Sequence, residues 1–303
     1  MVVETEDWCS YWHGSWVQRT LSSGQRDEYG VHLFDDWNVS RRTEPWVKGP
    51  EDLAKLPYVL HKPPPWELDE WVHDAQRAKE FAQKHGLLTM VRRTIVSDAA
   101  LWLCDMSWFM LQMYENPGFV EEFLSIFEAP ARWQAELALG LGVDVLQRRG
   151  WYDVPDFWGG PRFEKYILPS INGEARLAHQ AGAFHCYLLT MGWAPYLNAF
   201  QKLESDILWG ADPVASGTTL KTLKERLGRK TLLGGMNSEK QLAQASEPEV
   251  RKAVREAVAA LAPGGGFVLA SSSSIWSEIR WDKIAALIEE GRRVGRYPRD
   301  CPH

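Results

Sequence analysis

A chain of 303 residues with 45% hydrophobic and 24% charged content is composed like an ordinary globular protein, long enough for one large domain or two small ones. A net charge of −6 excludes the broad basic field that nucleic acid or an anionic membrane surface would need. The longest apolar run, AALWLCDMSWFMLQM, is interrupted by Asp105 and Ser107 and is too short and too polar to span a bilayer.

The N-terminus MVVETEDW is acidic and has no apolar stretch, so no signal peptide is expected. Cys9, Cys104, Cys186 and Cys301 show no paired spacing, which fits a reduced, cytoplasmic setting. There are 16 tryptophans, about half of them in the first 71 residues. They serve either as core packing or as the walls of a pocket for a flat or apolar ligand.

In chain order, DEYGVHLFDDWNV alternates loosely and is expected to give one or two strands. HKPPPWELDEW, with its three prolines, reads as a stiff connection before a helix over Asp69–His85 that stops at Gly86. LLTMV reads as a strand, followed by helices over Ala99–Tyr114 and Gly118–Leu141 separated by ENPG. VDVLQ is a strand, Pro161–Ala181 a helix bent at Pro169, and AFHCYLL a strand. Then come a helix over Pro195–Leu203, the strand DILWG, a helix over Leu220–Leu227 and the strand TLLGG. Ser246 and Glu249 form a capping-box signature ahead of an amphipathic helix. GFVLA is the last strand and Trp281–Arg293 the last helix.

Strands alternating with helices predict an α/β fold with a parallel sheet. Six strands read clearly, and the N-terminal third is expected to supply two more. That predicts a single-domain (β/α)8 TIM barrel: residues 1–66 as an N-terminal segment packed on it, residues 67–303 as the barrel body. A doubly wound open sheet is the alternative, but no strand runs into a Gly-rich phosphate loop. In a barrel the chemistry sits at the C-terminal strand ends. The loops there are VRRTIVSD, QRRGWYDVPDFWGGP, LLTMGWAP, WGADPVASG, GGMNS and ASSSSIW.

These loops, with LGVDVLQ, HQAGAFHCYLLTMGWAPYL, LKERLGRKTLLGGMN and IAALIEEGRRVGRYP in register, resemble the uroporphyrinogen decarboxylase superfamily, best from Gly142 to Tyr297. That superfamily includes the zinc- and corrinoid-dependent methyltransferases. The resemblance implies the (β/α)8 barrel. Its chemistry transfers less directly. SYWHGSWVQRT does not match the Arg-rich opening of the decarboxylases, and the histidine they carry after the last strand falls here on Ser273. The His-x-Cys-Gly zinc motif, aligned on Gly192, falls on Leu189 and Met191, and its later cysteine on Ser273. Leu cannot bind zinc, and Met and Ser are poor ligands, so no metal site is expected.

Several strand-end residues are suited to acid–base work and anion binding. Arg148 and Arg149 follow one strand and Arg92 and Arg93 another; they grip a carboxylate or stitch a salt-bridged rim. Tyr152, Asp153 and Asp156, walled by Trp151 and Trp158, make the densest candidate acid–base cluster, the alternative being turn and helix caps. Asp212 is a catalytic helper or a turn cap. Tyr187, Thr190, Asn237, Ser272, Ser273 and Trp276 complete the candidate substrate contacts. His185 sits early in its strand, where a buried, satisfied imidazole is expected.

The resulting expectation is a decarboxylase-like lyase acting on a small carboxylated aromatic or apolar substrate, with no bound cofactor and no nucleic acid or membrane partner. A homodimer fits the analogy with relatives. The first alternative is a methyltransferase or demethylase that passes a methyl group to a corrinoid partner protein. The second is a non-catalytic ligand-binding barrel.

Overall fold

The computed structural model describes residues 2–5, 33–36, 39–42, 45, 47–56, 65–94 and 103–296. They fall in two compact units, Met1–Asp153 with Pro161–His185, and Val154–Gly160 with Cys186–His303.

In the first unit, β1 (Val2–Thr5) lies in the parallel ladder, while β2 (Leu33–Asp36) and β3 (Val39–Arg42) pair only with each other, antiparallel. The ladder continues through β4 (Leu88–Thr94) and β5 (Val145–Arg149). The helices are α1 (Pro65–His85), α2 (Met106–Glu115), α3 (Pro117–Gly140) and α5 (Leu168–Gln180), while α4 (Pro155–Arg162) begins in the second unit and ends in this one. Of these, α4 breaks at Gly159, whose φ of 61° is left-handed, and the unit boundary falls beside that break.

Local chemistry explains the ends of these elements. The last proline of the PPP run opens α1, where a missing N–H costs nothing. In ENPG, Asn116 caps α3 through Phe119 N at 3.3 Å and Pro117 takes the first helical position. Asp105 caps α2 by accepting from Trp108 N at 2.8 Å. The helix expected over Pro161–Ala181 begins with a wide π turn at Phe163–Ile167 and is regular only from Leu168. Pro169 has no N–H to close an α-type bond, and the turn before it is the one that widens.

Val91 and Leu146 point to the helix side, into a core with Ala135 and Ala138 of α3 and Ala178 of α5. The alanines let the helices approach closely, and each buried Val or Leu contributes about 1.5–3 kcal/mol. Thr89 pins the start of β4 by donating its N–H and hydroxyl to Asp144, both at 2.7 Å.

The second unit carries β6 (Phe184–Leu188) from Cys186 onward, β7 (Ile207–Ala211), β8 (Thr231–Met236) and β9 (Phe267–Ser271), paired in parallel in that order. Its helices are α6 (Leu197–Gln201), α7 (Leu220–Leu227), α8 (Glu247–Leu261) and α9 (Trp281–Val294). Both halves of the expected capping box form at Ser246 and Glu249. Met236, Val250, Val254, Ala286 and Leu287 form the core between β8, α8 and α9.

The alternation thus gives an α/β fold with parallel strands. Among the described residues, the parallel strands number three in one unit and four in the other, short of a closed ring of eight. Among the described residues of the N-terminal third, β1 joins the parallel ladder, while β2 and β3 satisfy each other's backbone groups.

Candidate active site

The arginine pairs are split by strand parity. Successive strand residues face opposite sides, so Arg148 shares the helix-facing side of β5 with Leu146. There it is 1% exposed and donates to Ser170 Oγ at 2.8 Å and Glu174 Oε1 at 3.2 Å, both on α5. The fully buried His185 lies on the same carboxylate, its Nε2 3.9 Å from Glu174 Oε2. Arg148 is therefore not placed at the strand ends to meet a ligand. Its guanidinium is spent on a buried structural pair, the salt-bridged alternative to the carboxylate grip.

The opposite face of the same two strands carries Arg92, Gln147 and Arg149. Arg92 is paired in register with Gln147, and Arg149 follows two residues on, at the C-terminal end of β5. Gln147 is fully buried and both arginines are half-buried. From ~4.8 Å between strands and ~3.3 Å per residue, the backbones of Arg92 and Arg149 are about 8 Å apart. Arg149 also stacks 4.4 Å above the ring of Trp151. Arg93 pairs in register with Arg148, and its side chain lies outside the described residues.

Beyond Arg149 the chain turns at Gly150, whose carbonyl accepts from Asp153 N at 3.2 Å. Asp153 is fully buried, Trp151 and Tyr152 half-buried. In the second unit, Asp156 is exposed in the first turn of α4, and Trp158 is 2% exposed, a packed side chain and not an open wall.

Three strand ends of the second unit meet on one carboxylate. Asp212, which follows β7, is 1% exposed. Its Oδ1 accepts from the amides of Val214 at 2.6 Å and Ala215 at 2.7 Å. Its Oδ2 accepts from Asn237 Nδ2, after β8, at 2.9 Å, and from the hydroxyl of Ser272, after β9. Asn237 also caps the next turn through Lys240 N at 2.7 Å, and Gln241 Oε1 accepts from Asn237 N at 2.8 Å. With four protein donors on two oxygens, Asp212 fastens loops and has no lone pair left over for a substrate.

Glycine makes this approach possible. β7 bulges between Trp209 and Ala211, and Gly210 has a φ of 116°. A Cβ there would strike the carbonyl oxygen of Leu189. Trp209 reaches over to β9 and donates from Nε1 to Ser271 O at 3.1 Å.

Tyr187 does not face the strand ends. It is 1% exposed and packs edge-on against Phe200 of α6, because its parity places it on the helix side. Thr190 and Ser273 are half-buried, and Trp276 is 38% exposed. Sequence reading missed Gln147, Gln241 and Glu174. The parity of Gln147 with Arg149 was available; Glu174 needed the packing of α5 on β5.

Among the described residues, no cluster of three His, Cys, Asp or Glu side chains could hold a metal ion. None of their helices is long and apolar enough to cross a membrane.

No known family profile matches the chain. Uroporphyrinogen decarboxylase from Thioalkalivibrio sulfidiphilus is 22% identical over 249 residues, 80% of this chain and 61% of that protein. The chain is a distant relative of uroporphyrinogen decarboxylase. It spans less than two thirds of that enzyme's length. A methyltransferase from Methanosarcina mazei has the same fold at a TM-score of 0.66 and 15% identity, covering 92% of this chain and 78% of the other. A B12-independent methionine synthase from Shewanella sp. W3-18-1 superposes at 0.46, too loosely to inform the site.

Proposed function

We propose that the chain is a lyase that decarboxylates a small carboxylated aromatic or apolar compound. The observation that carries this is the shared face of Arg92, Gln147 and Arg149 at neighbouring parallel strand ends. Bidentate guanidinium contacts suit a carboxylate. Clamping the carboxylate that departs would favour the ground state, so the anchor suits one that the substrate retains. The substrate class is then an aromatic compound with more than one carboxylate.

In the reaction, the bond from carbon to the departing carboxylate breaks and its electron pair stays on carbon, which then takes a proton. Asp153 or Tyr152 is the donor in this reading. The barrel closed by eight strands, the cytoplasmic location and the homodimer belong to the same proposal.

The test is a panel of aromatic mono- and dicarboxylates, benzoate and phthalate first, followed by calorimetric titration and CO2 release. Binding of phthalate that Arg149→Ala weakens about 10- to 100-fold, with turnover lost in Asp153→Ala, is the expected result. Binding without turnover would leave a ligand-binding protein. No binding by any acid would end the proposal.

A second reading, methyl transfer to a corrinoid partner protein, is favoured by the fold shared with the Methanosarcina mazei methyltransferase. Methylation of added cob(I)alamin by methoxy or methylamine compounds would select it over decarboxylation.

A further inference from the structure

The strands of the second unit have a face turned away from their helices, and it is apolar and partly open. Tyr187 packs on Phe200 of α6, and Leu208, Leu232 and Phe267 stand in register with it across β7, β8 and β9. That row faces the helices, and Leu208 and Leu232 are fully buried in it. Alternation turns the next row, Leu188, Trp209, Leu233 and Val268, to the opposite face. There Leu188 and Leu233 are buried, Trp209 is half-buried and Val268 is 46% exposed.

Trp209 is fixed in place. Its Nε1 donates to Ser271 O of β9 at 3.1 Å, so the indole reaches past β8, the strand between. Beyond Leu233 that strand carries Gly234 and Gly235, and no side chain stands in the way. With its one polar atom committed, the indole is an apolar plate, part of which meets solvent. The hydrogen bond holds it in one orientation, so a ligand that stacks on it freezes little side-chain motion.

Charge sets the class of ligand. β7, β8, β9 and the part of β6 from Cys186 onward contain no charged residue. Asp212, next along the chain from β7, is buried with both oxygens occupied by protein donors. A charged group leaving water on this face would find no partner, whereas an uncharged ring needs none. We propose that Trp209, Leu233 and Val268 form a binding site for an uncharged flat ring of benzene size. The site needs no carboxylate and stands apart from the decarboxylase reading.

The probe is benzyl alcohol, compared with cyclohexylmethanol, which keeps the hydroxyl and the ring size but is puckered. Each is titrated into the whole chain and followed by the chemical shift of the Trp209 indole N–H, assigned by its loss in Trp209→Phe. The expected result is a saturable shift with a Kd of about 1 mM or tighter for benzyl alcohol. Cyclohexylmethanol should bind about 5-fold more weakly, since it loses the stacking. Val268→Glu sets a charge beside the plate and should weaken benzyl alcohol about 10-fold. Position 268 is exposed, so this variant should fold as the parent does, which a thermal melt checks. No saturable shift at Trp209, equal binding of the puckered ring, or a folded Val268→Glu variant that binds normally would each overturn the proposal.

Discussion

The hydroxyl of Ser272 donates to the carboxylate of Asp212 across 60 residues of sequence, and both side chains are fully buried. Asn237 and two backbone amides share the same carboxylate. Asp212→Ala strands all of these donors. Leaving buried partners unsatisfied should cost about 3 kcal/mol or more. For a chain of this size that is a fall in Tm of roughly 5–10 °C, measurable by calorimetry. An unchanged Tm would show that the loops hold themselves without the carboxylate.

Arg148 and Arg149 are adjacent yet should behave oppositely. Arg148→Ala leaves Glu174 buried beside His185 with a cation removed, which should destabilise the chain by about 3–5 kcal/mol. Arg149→Ala loses stacking on Trp151, about 1 kcal/mol or less. It should, however, weaken carboxylate binding about 10- to 100-fold. Thermal melts paired with calorimetric titration of phthalate check the split. Arg149→Lys should not restore the affinity, since an ammonium cannot reproduce the planar fork.

That split shows where sequence reading stops. Apolar runs bounded by glycine place β5 to β9 within one or two residues and β4 within three, because strand burial is written locally in residue type. The strand-end loops follow from the same reading. Which of two neighbouring arginines faces the helices depends on a parity of one residue, and a window of several residues blurs it. The fate of Arg148 was decided by Glu174, 26 positions away on another element. Asp212 likewise could be read as a turn cap, and it does hold Val214 and Ala215. Its bonds to Asn237 and Ser272 exist only once three strands lie side by side.

Gly210 tests whether the bulge in β7 is required. At a φ of 116° an L side chain is strained, and its Cβ would meet the backbone carbonyl of Leu189, which cannot swing away as a side chain can. The same carbonyl accepts from Trp193 Nε1 at 2.6 Å, so moving it disturbs a second buried bond. Gly210→Ala should therefore cost several kcal/mol, about 3 or more, and appear as a large loss of soluble yield or Tm. By contrast, Gly264→Ala, where nothing lies within 4 Å of the new Cβ, should cost only the left-handed backbone penalty of about 1–2 kcal/mol.

The docking of α9 on α8 should weaken in acid. Glu290 of α9 is 3% exposed and accepts from Arg293 on its own helix and from Arg255 of α8 at 2.8 Å, with Arg251 Nη1 at 3.8 Å. The hydrogen bonds from Arg293 and then Arg255 hold its carboxyl down from 4.5 to about 2. A carboxyl that is harder to protonate in the folded chain than in the unfolded one adds stability wherever the unfolded form is ionised. The contribution is therefore whole above about 4.5 and drains away as pH falls towards about 2. Glu290→Gln keeps the shape but drops the charge. It should melt lower than the parent at neutral pH, and the gap should close as the acid end of that window is reached. Melting curves of both chains across the window decide it. A gap that stays constant down to acid would mean that the packing of residue 290, and not its charge, joins the two helices.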